Sequence, residues 1–158
     1  MDNAAAVLAV LGVLGAGLVG GALYGFSTFI MAALARVPDA EGIRAMQAIN
    51  VTVFRPLFIG VFFLTTPVSL AGAALGLMNI GSAWAPGMIV GGLAYALGLF
   101  LVTAVGNVPL NKKLEDIDPE GDPAFWRMYL VVWTRWNHVR SVATVISLLG
   151  FSWALLGM

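Results

Sequence analysis

The feature that most constrains this chain is the length of its uncharged stretches. No acidic or basic side chain occurs between Asp2 and Arg36, none from Pro56 to Asn111, and none from Ser141 to Met158. A helix crossing the hydrocarbon core of a bilayer needs about 20 apolar residues, each adding about 1.5 Å. The first stretch is long enough for one span with excess, the second for two spans and a turn, the third for one short span. A chain of 158 residues could not shelter so much uncharged helix inside a water-soluble fold. Charged residues make up 10% of the chain and the mean hydropathy is +0.93, whereas soluble domains carry about 25% charged residues.

The expected fold class is therefore all-α: an integral membrane four-helix bundle with additional cytoplasmic helical segments, in one domain over residues 1–158. The spans are expected near 4–34, 57–78, 87–106 and 139–158. The segment NIGSAWAP at 79–86 has the Asn, Gly, Ser and Pro content of a turn. Pro67 falls within the second span and is expected to kink it, with neighbouring helices covering the freed carbonyl. Glu41–Phe54 contains helix formers behind Pro38 and Asp39, and Ala124–His138 should run directly into the fourth span. Between these helices EDIDPEGDP marks a surface loop. The amino terminus lacks the basic n-region of a cleaved signal peptide, so the first stretch is read as a retained span.

Lysine and arginine number eight, and all fall in or beside the two connections at 36–56 and 107–138. The positive-inside rule makes these connections cytoplasmic and both termini extracytoplasmic, in a multi-pass protein of the cell membrane. The six glycines Gly12, Gly15, Gly17, Gly20, Gly21 and Gly25 of the first span allow helix backbones to approach closely in lipid. A second reading is that they leave room for a ligand.

Several function classes drop out. The net charge is zero and no basic stripe exists, so nucleic acid is not an expected partner. Without cysteine there are no disulfides, thiolate metal sites or cysteine nucleophiles. His138 is the single histidine, so one chain cannot supply two axial histidines to a haem or the histidine set of a zinc site. There is no phosphate loop, dinucleotide fingerprint or nucleophile elbow. No metal or cofactor is assigned.

What remains is polar residues at membrane depth, where an unpartnered group is costly and tends to face the bundle interior. They gather toward the cytoplasmic side: Tyr24, Ser27 and Thr28 in the first span, Asn50 and Arg55 before the second, Thr103, Asn107 and Asn111 at the end of the third, and Asn137, Arg140 and Thr144 in the fourth. On a wheel of about 100° per residue, Trp133, Asn137, Arg140 and Thr144 lie within about 40° of Trp126, and Tyr129 and Trp136 within about 80°. His138 lies on another face. One stripe thus carries aromatic rings, an amide and a guanidinium, as a site for a flat hydrophobic ligand requires. The plainer reading is an aromatic belt with a snorkelling arginine. Asn107 and Asn111 share a face if Pro109 does not break the helix between them.

GNVPLNKKL, followed by WRMYLVVWTRWNHVRS and preceded by RAMQAIN ahead of the second span, resembles the anthrone-oxygenase-like family of small four-span membrane proteins. The resemblance covers nearly the whole chain. It implies an oxygenase that converts an anthrone, a tricyclic phenolic ketone, to the anthraquinone with molecular oxygen. Carried over by motif, Asn107, Asn111, Trp136, Asn137, His138 and Arg140 become candidate site residues.

The expected catalytic set is Asn137, His138 and Arg140, and the expected substrate-binding set is Tyr24, Asn50, Asn107, Asn111, Trp133 and Trp136. Arg140 with the amides of Asn107 and Asn137 would stabilise an enolate oxyanion. His138 has a suitable ordinary pKa for a base, about 6.5, although the wheel turns it away; Tyr24 or a water would substitute. The expected partners are the lipid bilayer and a small aromatic or quinone-like ligand, with homo-oligomerisation left open. The alternative function is a non-catalytic membrane protein that binds a lipid or quinone, or a small partner subunit of a membrane complex.

Overall fold

The computed structural model of the chain describes residues 3–121 and 123–158. Five helices account for most of it: α1 (Asn3–Leu34), α2 (Asp39–Thr52), α3 (Pro56–Met78), α4 (Ala85–Glu115) and α5 (Pro123–Leu156). The structure is 86% helical, with no strand among the described residues. Helices α1, α3, α4 and α5 are each long and apolar enough to span a bilayer, and the protein is a multi-pass membrane protein built on a four-helix bundle. Backbone groups have no water to bond inside lipid, so each span satisfies them within its own helix.

The spans form a ring in which α1 packs on α3 and α5, and α4 packs on the same two helices. At the end of the bundle that carries the α3–α4 turn, contact is made through glycine. A Cβ added to Gly87 of α4 would lie 2.6 Å from both the amide nitrogen of Ala154 and the carbonyl oxygen of Gly150 on α5. Only glycine permits so close an approach, which in lipid replaces the hydrophobic effect as the force that joins helices. In α1, Gly12, Gly15 and Gly20 meet the side chains of Phe151, Thr65 and Thr144. These three glycines serve packing rather than leaving space for a ligand.

The opposite end of the bundle, where α2 lies, has a different core. Met31, Ile43, Met46, Leu114, Trp126, Tyr129 and Trp133 form one buried cluster that joins α2 to the ends of α1, α4 and α5. Gln47 of α2 donates from Nε2 to the carbonyls of Leu114 and Ile117, at 2.9 and 3.0 Å, and so satisfies the end of α4. Two exposed ion pairs, Arg44–Glu120 at 2.6 Å and Arg127–Asp39 at 3.6 Å, bridge the same elements. Such surface pairs contribute about 0–1 kcal/mol each, so the buried cluster holds α2 in place.

Two prolines lie inside continuous helices. α4 runs past residue 106 and through Pro109 to Glu115, so the helix extends beyond the stretch read as the third span. Wide π turns at Ala94–Leu101 and Thr103–Asn107 precede the proline. They shift the hydrogen-bond ladder just where its ring would otherwise meet a carbonyl of the preceding turn. A third π turn occupies Phe26–Ile30 of α1. α3 likewise runs through Pro67 as one helix. The hydroxyls of Thr65 and Thr66 donate back to the carbonyls of Val61 and Phe62, and Tyr95 of α4 donates to Phe62 as well.

Candidate functional site

α5 is α-helical from end to end, so residues at 100° spacing keep one face over its whole length. Trp126, Tyr129, Trp133, Asn137, Arg140 and Thr144 are all buried on that face. Trp126, Tyr129 and Trp133 stack in succession, with ring centroids 5.6 and 6.2 Å apart. The Arg140 guanidinium continues the stack, its Cζ 5.2 Å from the Trp133 ring. A desolvated cation over an indole gains about 2 kcal/mol.

Hydrogen bonds fix the guanidinium further. Asn137 donates from Nδ2 to the Leu23 carbonyl and to the Ser27 hydroxyl, both at 2.8 Å, and its Oδ1 accepts from Arg140 Nη2 at 2.6 Å. Arg140 Nη1 donates to Thr103 Oγ1 at 3.4 Å. The Thr103 hydroxyl donates in turn to the Leu99 carbonyl. Ser27 and Thr103 both sit in π turns, which are frequent at functional sites. Arg140 Nε is buried without a partner. Among the described residues, neither ion pair includes Arg140. A guanidinium without a carboxylate keeps its uncommitted N–H groups and its charge for an oxyanion or carbonyl oxygen.

On α4, Asn107 and Asn111 hold Trp133 from two sides. Asn107 Nδ2 donates to the Trp133 carbonyl at 3.2 Å. Trp133 Nε1 and the Tyr129 hydroxyl donate to Asn111 Oδ1 at 2.7 and 2.9 Å. The amide pair foreseen on one helix face is present, and the helix does not restart between its members.

These groups border a cavity of about 170 Å³. Its walls are Leu23 and Phe26 of α1, Met46 and Ile49 of α2, Val53 and Phe54 of the connection, Phe58 and Phe62 of α3, and Trp133 of α5; the polar residues that reach it are Asn50, Thr103, Asn111 and Arg140. An apolar cavity of about 150 Å³ holds benzene, so the enclosed part accepts one aromatic ring. Phe54 and Phe63 are exposed at the rim. A second, larger depression between α1 and α3, around Leu11, Leu18 and Val68, has Thr65 as its only polar lining residue among the described residues.

Of the residues expected from sequence, Asn50, Asn111, Trp133 and Arg140 line the cavity together. Asn107 and Asn137 are buried one layer behind, holding Trp133 and Arg140. Three do not join them. Tyr24 is 64% exposed, because depth in the span says nothing about which side of the helix a residue occupies. His138 is exposed on the far side of α5, as its wheel angle requires. Trp136 is partly exposed and packs on Gly106 rather than the cavity. Sequence reasoning missed the apolar wall. Phe54, Phe58 and Phe62 recur at every fourth residue, and Met46, Ile49 and Val53 follow the helical period of α2; that spacing was the available signal.

The protein-family model described as Anthrone oxygenase matches residues 54–150. The chain belongs to the anthrone oxygenase family. No curated protein and no solved structure matches it. The segment shared with the anthrone oxygenases begins at Phe54 on the cavity rim and includes Asn107, Asn111, Trp133, Asn137 and Arg140. Leu23, Phe26, Met46 and Asn50 lie outside it, so α1 and α2 complete a cavity whose other walls belong to the anthrone oxygenase segment.

Proposed function

We propose that the protein is a membrane oxygenase acting on a flat, hydrophobic anthrone- or quinol-like substrate, by chemistry that needs no metal or cofactor. The observation that carries this reading is the buried Arg140 guanidinium, without an acidic partner among the described residues, stacked on Trp133 at the edge of a ring-sized cavity. Family membership supplies the substrate class.

An anthrone has a methylene group opposite its ketone, and loss of one of those protons gives an enolate. Arg140 donates to the enolate oxygen, and Asn137 and Thr103 keep its fork in place. Preorganised donors of this kind supply about 3–4 kcal/mol where charge develops in a dry site. The enolate passes one electron to oxygen; recombination with the resulting superoxide, followed by protonation, forms a hydroperoxide at the former methylene carbon. Loss of water then leaves the second carbonyl. The balance is C14H10O + O2 → C14H8O2 + H2O, with one oxygen atom retained. Among the described residues no imidazole or carboxylate lines the cavity, so in this reading the protein acts by stabilising the oxyanion while the proton leaves to water. By the positive-inside rule the cavity lies in the cytoplasmic half of the membrane.

The test is aerobic conversion of anthrone by the purified protein in lipid nanodiscs, with 18O2 to trace the new carbonyl. Wild type should outpace empty nanodiscs and place one labelled atom in the quinone. Arg140→Lys keeps the charge but loses the planar fork, and should lower kcat/KM by about 10²–10³. A wild-type rate equal to that of empty discs would leave a ligand-binding protein without catalysis, and full activity in folded Arg140→Lys would remove the oxyanion role.

A further inference from the structure

Asn111 accepts two hydrogen bonds on one atom, and this determines its orientation. An indole N–H can only donate, so the amide atom 2.7 Å from Trp133 Nε1 is the oxygen. The Tyr129 hydroxyl donates to the same atom. The NH2 group is therefore the end left over, and it makes no hydrogen bond among the described residues while Asn111 borders the cavity. On α2, Asn50 also borders the cavity; its Nδ2 is buried without a hydrogen-bond partner, and its Oδ1 makes no hydrogen bond among the described residues either. Thr103 is already committed, donating to Leu99 and accepting from Arg140. Arg140 has donors only.

Donors thus stand in two places around this cavity, Arg140 over one face of Trp133 and the amides of Asn111 and Asn50 beyond its Nε1 edge, while Asn50 Oδ1 is an uncommitted acceptor beside them. We infer that Asn111 and Asn50 form a second oxygen subsite, so that the cavity prefers a ring with two acceptor oxygens, a quinone, over a ring with one or over a quinol. A quinol would bring two hydroxyl protons against the single uncommitted oxygen of Asn50, so one of them finds no acceptor, and an unsatisfied buried donor is costly. This rests on the oxygenase reading for its choice of ligand class and extends it: the product would bind more tightly than the substrate and inhibit its own formation.

Binding is measured in nanodiscs against empty discs for anthraquinone, anthrone and anthracene, which carry two, one and no oxygens. The single-ring pair duroquinone and durohydroquinone distinguishes a free tricyclic ligand from a membrane quinone headgroup. One added hydrogen bond, with no donor left unpaired, should make wild type bind the quinone about tenfold more tightly than the anthrone. Asn111→Asp keeps an acceptor for Tyr129 and Trp133 while replacing the NH2 donor, and should bring that ratio to about one. Asn50→Ala leaves no partner stranded and should lower it by a smaller factor, with anthracene unchanged in both. A wild-type ratio near one, an unchanged ratio in both folded variants, or an equal loss for all three ligands would overturn the subsite. A quinone preference without anthrone turnover would support the subsite and remove the oxygenase reading, and turnover without the preference would do the reverse.

Discussion

Replacing Asn137 by alanine isolates what holds the guanidinium inside the bundle. The side chain is fully buried and makes three hydrogen bonds, two across to α1 and one to Arg140. Interhelical bonds in membrane proteins average about 0.6 kcal/mol each, because the unfolded state in lipid also finds partners. The bond from Arg140 involves a charged donor and contributes about 1.5–3 kcal/mol. Asn137→Ala should therefore destabilise the bundle by about 3–4 kcal/mol, whereas Ser27→Ala, which removes two interhelical bonds, to Asn137 and to Ser141, should cost about 1.2 kcal/mol. The measurement is reversible unfolding in mixed micelles followed by circular dichroism, for both variants and for a double-mutant cycle of Asn137→Ala with Arg140→Met. The cycle should show a coupling of about 1.5–3 kcal/mol. A loss below about 1 kcal/mol in Asn137→Ala, or additive effects in the cycle, would refute the reasoning. Arg140 would then be held by snorkelling to the headgroups, not by the amide.

Three further predictions follow from the same geometry. Gly87→Ala puts a methyl group against the backbone of α5 and should cost about 1–3 kcal/mol by overpacking, while Gly21→Ala meets nothing within 4 Å and should gain about 0.5–1 kcal/mol; thermal unfolding of the two variants checks both signs. His138→Ala should leave anthrone turnover within about twofold of wild type, since surface changes remote from a site have small effects, and a larger loss in the same oxygenase assay would return the imidazole to the mechanism. A reporter active only in the cytoplasm should be silent when fused after Met158, and strong activity there would reverse the orientation.

How far the site could be read in advance depended on the regularity of each helix. The stripe on α5 was legible because the helix runs without a π turn from Pro123 to Leu156, so a wheel of 100° per residue stays true over its length. The buried positions of Trp126, Trp133, Asn137 and Arg140, and the exposed position of His138, all follow from it. α4 defeats the same method. A wheel places Asn107 about 120° from Tyr95, yet both are buried in the bundle, because the intervening π turns change the angle per residue. The phenylalanine wall was hidden for another reason: Phe58 and Phe62 look lipid-facing until α2 folds back against the bundle. That position depends on the contacts of Met46 and Gln47 with distant parts of the chain, so the helical spacing marks each apolar face without saying what the face packs against.

The hydrogen bonds around Asn137 and Arg140 also bear on how the protein enters the bilayer. A cation delivered within a span costs about 2.5–3.5 kcal/mol at its centre and less toward its ends. Besides Asn137 Oδ1 on α5 itself, the acceptors that offset this cost are Thr103, which bonds Arg140, and the Leu23 carbonyl and Ser27, which bond Asn137; these three belong to helices that precede α5 in the chain. During synthesis they are already in the membrane when α5 emerges, so the most polar span arrives last, onto a prepared template. A circular permutant that placed α5 first would present Arg140 to lipid with none of these three acceptors yet made. The order of the helices along the gene thus matches the order in which their polar groups can be accommodated.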